Sequence, residues 1–128
     1  MRCPCDSRKP YAACCGPLHH GLPAPNAERL MRSRYSAYVL CLLPYLRATW
    51  HPSTRPADLR LDPPNRRVWL GLKVQQHTQI DADHAIVAFS ARSRVSGEVQ
   101  RLDERSRFER VDGRWLYVDG DIGTPHSA

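Results

Sequence analysis

Val68-Trp69-Leu70-Gly71-Leu72-Lys73-Val74-Gln75 is where this chain changes its period. Val68, Leu70, Leu72 and Val74 alternate with Trp69, Gly71, Lys73 and Gln75, and a period of two is that of a strand with one buried face. Downstream the pattern repeats. Asp81-Ala82-Asp83 is expected as a turn, and Ala85, Val87, Phe89 and Ala91 as a second strand whose other face (Ile86, Ala88) is also apolar. Ser96-Gly97 marks a further turn, residues 98–111 a long strand, Asp112-Gly113 a hairpin turn and Trp115 to Val118 the last strand. Leu102 and Phe108 lie on one parity of the third strand and Val99 and Val111 on the other, which predicts a β-bulge within it.

Upstream the period is that of a helix. Asn26 is a good N-cap, and Met31, Tyr35, Tyr38 and Leu42 follow at helical spacing beside Leu30 and Val39, with Arg29, Arg32 and Ser36 toward the other side. Pro44 is expected to open a second short helix carrying Tyr45, Leu46 and Trp50, ended by His51-Pro52. Helices followed by a four-strand antiparallel meander indicate an α+β domain. Pro17, Pro23 and Pro25 mark one connector, and Pro52, Pro56, Pro63 and Pro64 another.

At 128 residues and 41% hydrophobic content, the chain is of single-domain size and can bury a core. The formal charge of +6 would fall to about +4 with a dication held by four thiolates. That is moderate basicity, which weakly attracts anions and does not by itself indicate nucleic-acid binding. Residues 1–20 hold no apolar signal-like region, and no run approaches the ~18 apolar residues of a membrane span, so a cytoplasmic location with reduced cysteines is expected.

Four of the five cysteines fall in thirteen residues: Cys3, Cys5, Cys14 and Cys15. A Cys-x-Cys pair grips an ion from a tight turn, and the adjacent pair closes the other edge where the backbone bends at Gly16-Pro17. The spacing suits one structural Zn²⁺ held by these four residues, with no open position. Ser7 and the amides around Asp6 and Arg8 are expected to donate to the sulfurs, and Arg2, Arg8 and Lys9 to offset the charge. His19 or His20 is the alternative fourth ligand, and Cys41, among Val39, Leu40 and Leu42, is expected to be a buried core thiol.

Cys3-x-Cys5-x-Ser7, six residues, then Cys14-Cys15 resembles the SEC-C motif, a zinc-binding module also found at the C-terminus of the SecA translocation ATPase. The glycines that usually flank the serine are here Asp6 and Arg8. The remainder is similar to the bacterial YchJ (UPF0225) family. The likeness is carried by Leu30-Met31-Arg32-Ser33-Arg34-Tyr35-Ser36-Ala37-Tyr38, by Thr49-Trp50-His51-Pro52-Ser53-Thr54-Arg55-Pro56, by Glu104-Arg105-Ser106-Arg107-Phe108 and by Gly113-Arg114-Trp115-Leu116-Tyr117-Val118-Asp119-Gly120. The resemblance implies a zinc knuckle over 1–20. It also implies an NTF2-like (cystatin-like) domain over 27–122, with helices packed on a curved antiparallel sheet around a cavity. It supplies no reaction.

Arg34, Tyr35, Trp50, His51, Arg107, Tyr117 and Asp119 are the candidates to line that cavity. The leading expectation is a non-catalytic protein-interaction or small-ligand-binding module, with no catalytic residue assigned. The analogy to SecA suggests translation or secretion machinery as partner. A competing reading is an enzyme using His51 and Asp119 as a general-base pair. A third has the knuckle contact RNA. Arg101, Asp103, Arg105, Arg107 and Glu109 share one strand face, expected as a solvated mixed-charge surface. The sequence leaves the oligomeric state open.

Overall fold

A computed structural model of the chain describes residues 1–61 and 66–123; Pro63 and Pro64, assigned to the second connector, lie outside the described residues. Strands β1 (Arg67–Gln79), β2 (His84–Val95), β3 (Glu98–Val111) and β4 (Arg114–Ile122) form one antiparallel curved sheet in sequence order. Two of its turns are dictated by residue type. Ser96 and Gly97 have φ of 52° and 81°, and Asp112 and Gly113 have φ of 51° and 79°. Two successive left-handed residues give the hairpin turn whose twist matches that of the strands.

Bulges decide which side chains face inward. Register shifts fall between Trp69 and Gly71 and between Val74 and Gln76, so Leu70 and Gln75 are extra residues of β1. The single apolar face read from Val68, Leu70, Leu72 and Val74 is therefore split. Leu72 is buried and Val74 packs on the core, whereas Val68 and Leu70 are 48% and 40% exposed. One extra residue turns the strand's inward parity over, and Trp69 takes the inner position beyond it. The bulge expected in β3 is not there: β2 and β3 pair without interruption from His84↔Glu109 to Val95↔Glu98. The shift lies in β4, where Val118 is extra opposite Arg107 and Phe108. Asp119 and Gly120 consequently continue the strand.

Among the described residues three α-helices precede the sheet: α1 (Cys15–His19), α2 (Ala27–Val39) and α3 (Leu43–Ala48). The Asn26 side chain accepts the Arg29 amide at 2.8 Å, capping α2. At the other end the Leu42 amide reaches the Ala37 carbonyl and the Cys41 amide the Tyr38 carbonyl, at 2.8 and 3.4 Å. That pairing is a Schellman stop, and it sets Cys41 in the left-handed region at φ 59°. Cys41 is therefore exposed, not the buried core thiol expected from its apolar neighbours, and Leu42 is no longer helical. Helix α3 ends at Ala48, before the expected His51-Pro52, because Trp50 leaves to bridge Tyr117 of β4 in parallel.

Leu30, Met31 and Tyr35 of α2 pack against Leu72, Ala85, Val87, Phe89, Ala91, Phe108 and Trp115 on the inner sheet face. Burial of such side chains, at roughly 1.5–3 kcal/mol each, holds the layers together. Among the described residues no helix is long and apolar enough to cross a membrane.

Candidate functional site

The first fifteen residues fold back on themselves. The Cys3 amide donates to the Lys9 carbonyl at 2.9 Å, the Tyr11 amide to the Met1 carbonyl at 2.9 Å, and Arg2 bridges Pro10. Within that loop Asp6 and Arg8 have φ of 62° and 67°. These positions carry glycine in the usual motif, and the left-handed backbone explains that preference. A short 3-10 helix (Tyr11–Ala13) then delivers Cys14 and Cys15 to the start of α1. Gly16 serves here as a point of close approach, since a Cβ on it would lie 2.8 Å from the Tyr11 carbonyl oxygen.

The Sγ atoms of Cys3, Cys5, Cys14 and Cys15 all lie within 4.8 Å of one another, and all four residues are buried. Cys5 and Cys14 are 3.6 Å apart and Cys14 and Cys15 3.9 Å. A tetrahedral ion with metal–sulfur bonds near ~2.3 Å places its sulfurs ~3.8 Å apart. A disulfide would require ~2.05 Å. Four soft donors this close together, two of the pairs at tetrahedral edge length, therefore fit one thiolate-bound metal ion.

The thiols also compete for ionisation. A hydrogen bond from Cys15 holds the Cys5 thiol down at about 4, and the same contact pushes Cys15 up. Burial pushes Cys14 up. A cation at the centre removes this conflict, because each sulfur then ionises toward positive charge. Ser7 Oγ lies 3.1 Å from Cys14 Sγ, as its place in the motif suggests. Ser36 Oγ lies 3.4 Å from Cys15 Sγ and 3.5 Å from Cys3 Sγ.

Ser36 belongs to α2, and so do two further supports of the knuckle. Arg29 donates to the Cys14 carbonyl at 3.2 Å and Arg32 to the Cys5 carbonyl at 2.9 Å. The positions that read as the helix's far side are a docking face. The expected counter-charges Arg2, Arg8 and Lys9 are exposed. His19 is committed elsewhere: Nδ1 lies 2.6 Å from the Tyr11 hydroxyl and Nε2 2.8 Å from the Ser33 carbonyl oxygen. His20 Nδ1 is 2.7 Å from the Gly16 carbonyl oxygen. Neither histidine joins the cysteine group. On the opposite side the Asp6 carboxylate accepts the Leu72 amide of β1 at 2.9 Å, tying the knuckle to the sheet edge. The signals for these contacts were present as i, i+3, i+7 spacing at 29, 32 and 36, but nothing local named the surface they meet.

The inner sheet face and α2 enclose a cleft. Arg34, Tyr35, Trp50 and Tyr117 line it, along with Tyr38, Trp69 and Glu104. Arg34 is buried and lies over the Trp50 and Tyr117 rings, 5.0 and 4.8 Å from their centroids. Its Nη1 donates to the Leu46 carbonyl at 2.9 Å and to Thr49 Oγ1 at 2.7 Å. The Tyr117 hydroxyl donates to Glu104 at 3.3 Å, so one aromatic ring stands between the buried cation and the inward carboxylate. Burial lowers the Arg34 pKa and, with Glu104 close by, raises that of Tyr117.

His51, Arg107 and Asp119 lie outside this lining. His51 Nε2 is 3.7 Å from Glu109 and its Nδ1 is 2.7 Å from Ser53 Oγ. Arg107 pairs with Asp119 at 2.5 Å and with Asp121 at 2.8 Å on the outer face. The general-base pairing of His51 with Asp119 is thus not formed among the described contacts. Strand parity places Asp119 opposite Arg107, on the sheet side away from the cleft.

The fold and the site together define a class: an NTF2-like α+β domain carrying an N-terminal cysteine knuckle. The family model described as YchJ, middle NTF2-like domain, matches residues 26–120. A UPF0225 protein from Methylibium petroleiphilum is 56% identical, covering 98% of this chain and 91% of that protein. One from Ralstonia nicotianae is 55% identical, covering 94% and 90%. The solution structure of a SEC-C motif containing protein from Rhodopseudomonas palustris aligns with a TM-score of 0.84 at 34% identity, covering 97% of this chain and 100% of that one. A crystal structure of a SEC-C motif containing protein from Psychrobacter arcticus gives 0.78 at 28% identity, covering 99% and 85%. The chain belongs to the UPF0225 (YchJ) family.

Proposed function

We propose that this protein is a zinc-stabilised, non-catalytic binding module whose ion staples residues 1–20 onto α2, leaving the NTF2-like domain to engage a protein partner. The burial of all four thiols carries the reading. Catalytic zinc keeps a position for water or substrate, whereas a closed tetrathiolate has none. Four thiolates in a tetrahedron favour zinc among common divalent ions. When bound, the ion supplies cross-linking free energy and charge neutralisation. Ser7 and Ser36 orient the sulfurs, Arg32 and Arg29 hold the backbone carbonyls of Cys5 and Cys14, and Asp6 anchors the loop to β1.

The test is thermal unfolding of the purified protein against its Cys14→Ser variant. Loss of one ligand is expected to lower the melting temperature by about 10 °C or more, with residues 1–20 losing amide protection first. A variant that melts with the parent and keeps that protection would contradict the reading.

A further inference from the structure

We infer that the outer face of the sheet, at the shared end of β1, β2 and β3, docks an acidic, aliphatic segment of a partner protein. This rests on the reading of the chain as a protein-binding module, and it names the part of the NTF2-like domain that makes the contact. Pairing register assembles the surface. Val68 lies opposite Arg94, and Arg94 opposite Val99; in the next row Gly71 lies opposite Arg92, and Arg92 opposite Arg101. Residues directly opposed in an antiparallel pair share a face. The extra residue Leu70 falls between the two rows. Val68, Leu70 and Val99 are 48%, 40% and 51% exposed, Arg92, Arg94 and Arg101 are exposed beside them, and Leu70, Arg92, Val99 and Arg101 also border the cleft.

Arg92 directly opposite Arg101 is a like-charge cross-strand pair, an arrangement that costs stability. Arg101 is relieved by Asp103 at 2.9 Å. Arg92 and Arg94 have no hydrogen-bonded or ionic partner among the described residues. The fold gains nothing from that arrangement, whereas a carboxylate-bearing ligand would gain bidentate guanidinium contacts. The three aliphatic side chains decide between anionic partners. They add nothing against a phosphate backbone, and none of these six residues is an aromatic on which a base could stack. An apolar centre among arginines is the composition of a protein–protein contact. A second copy of the same face would bring arginine against arginine.

The test is a heteronuclear NMR titration of the intact zinc-loaded chain. The probes are a peptide of alternating leucine and glutamate, a glutamate-only peptide of the same length, and an oligouridylate. The leucine–glutamate peptide should shift the amides of Arg92, Arg94, Val99 and Arg101 and leave residues 1–20 unmoved, and should bind more tightly than the other two. Arg92→Thr combined with Arg101→Thr should weaken it about tenfold. The same double variant should melt no lower than the parent, since it removes a repulsion. Peptide binding elsewhere, or binding indifferent to the two threonines, overturns the assignment of this face and leaves the protein-binding reading standing. Tightest binding by oligouridylate at these same amides overturns both. No shift with any probe overturns the inference alone.

Discussion

A methyl group at Gly16 would meet the Tyr11 carbonyl oxygen at 2.8 Å, and that oxygen is backbone already bonded to the Cys14 amide at 3.1 Å. It cannot move without shifting a ligand. Gly16→Ala should therefore lower stability by about 1–3 kcal/mol, read by denaturant unfolding, a cost typical of overpacking. The histidines give a second residue-level test. The Asp81 carboxylate raises the His84 pKa, and burial lowers that of His19. An NMR titration should find His84 changing above, and His19 below, the ordinary value near ~6.5. For His19 the sign follows directly. The unfolded chain takes up the proton first, so stability is whole above ~6.5 and falls as the pH drops below it. His84 acts in the opposite sense: its ion pair supports the fold below ~6.5 and is lost as the pH rises through the raised value.

Among the elements, α2 connects everything. Its inward side packs on the sheet while Arg29, Arg32 and Ser36 hold the knuckle. Arg32→Ala removes the bond to the Cys5 carbonyl and the Glu28 pair at 3.2 Å. The pair is partly exposed and contributes little. The carbonyl bond should account for most of a loss of about 1–2 kcal/mol. Hydrogen exchange should quicken over 1–16 before it does in β2, and uniform quickening would contradict the docking role.

The apolar side of α2 was legible from Leu30, Met31 and Tyr35, and its start from Asn26, because caps and helical spacing are local. The use of its polar side was not, since the surface it meets lies some twenty residues earlier. The strands show the same limit. Val68, Leu70, Leu72 and Val74 alternate without a break, so nothing in the pattern announces an extra residue at Leu70. The Ser96-Gly97 and Asp112-Gly113 turns were legible because residue type dictates their backbone. The four-cysteine cluster was legible for a similar reason, since its spacing alone limits what can bring the sulfurs together.

For the whole molecule, the knuckle and the segment after α3 each meet one edge of the sheet. Asp6 caps the Leu72 amide of β1, while Tyr117 of β4 exchanges bonds with Thr49 and His51 at 2.8 and 2.7 Å. Exposed edges invite pairing with other chains, and each contact blunts its edge locally. One edge thus depends on the knuckle, and by the present account the knuckle depends on its ion. Native mass spectrometry of the purified chain, with thiol alkylation in parallel, tests this most directly. The account predicts one zinc per chain, with exposed Cys41 alkylated and Cys3, Cys5, Cys14 and Cys15 protected until the metal is chelated. Less than about half an equivalent of zinc, with five thiols reacting freely in the folded protein, would contradict it.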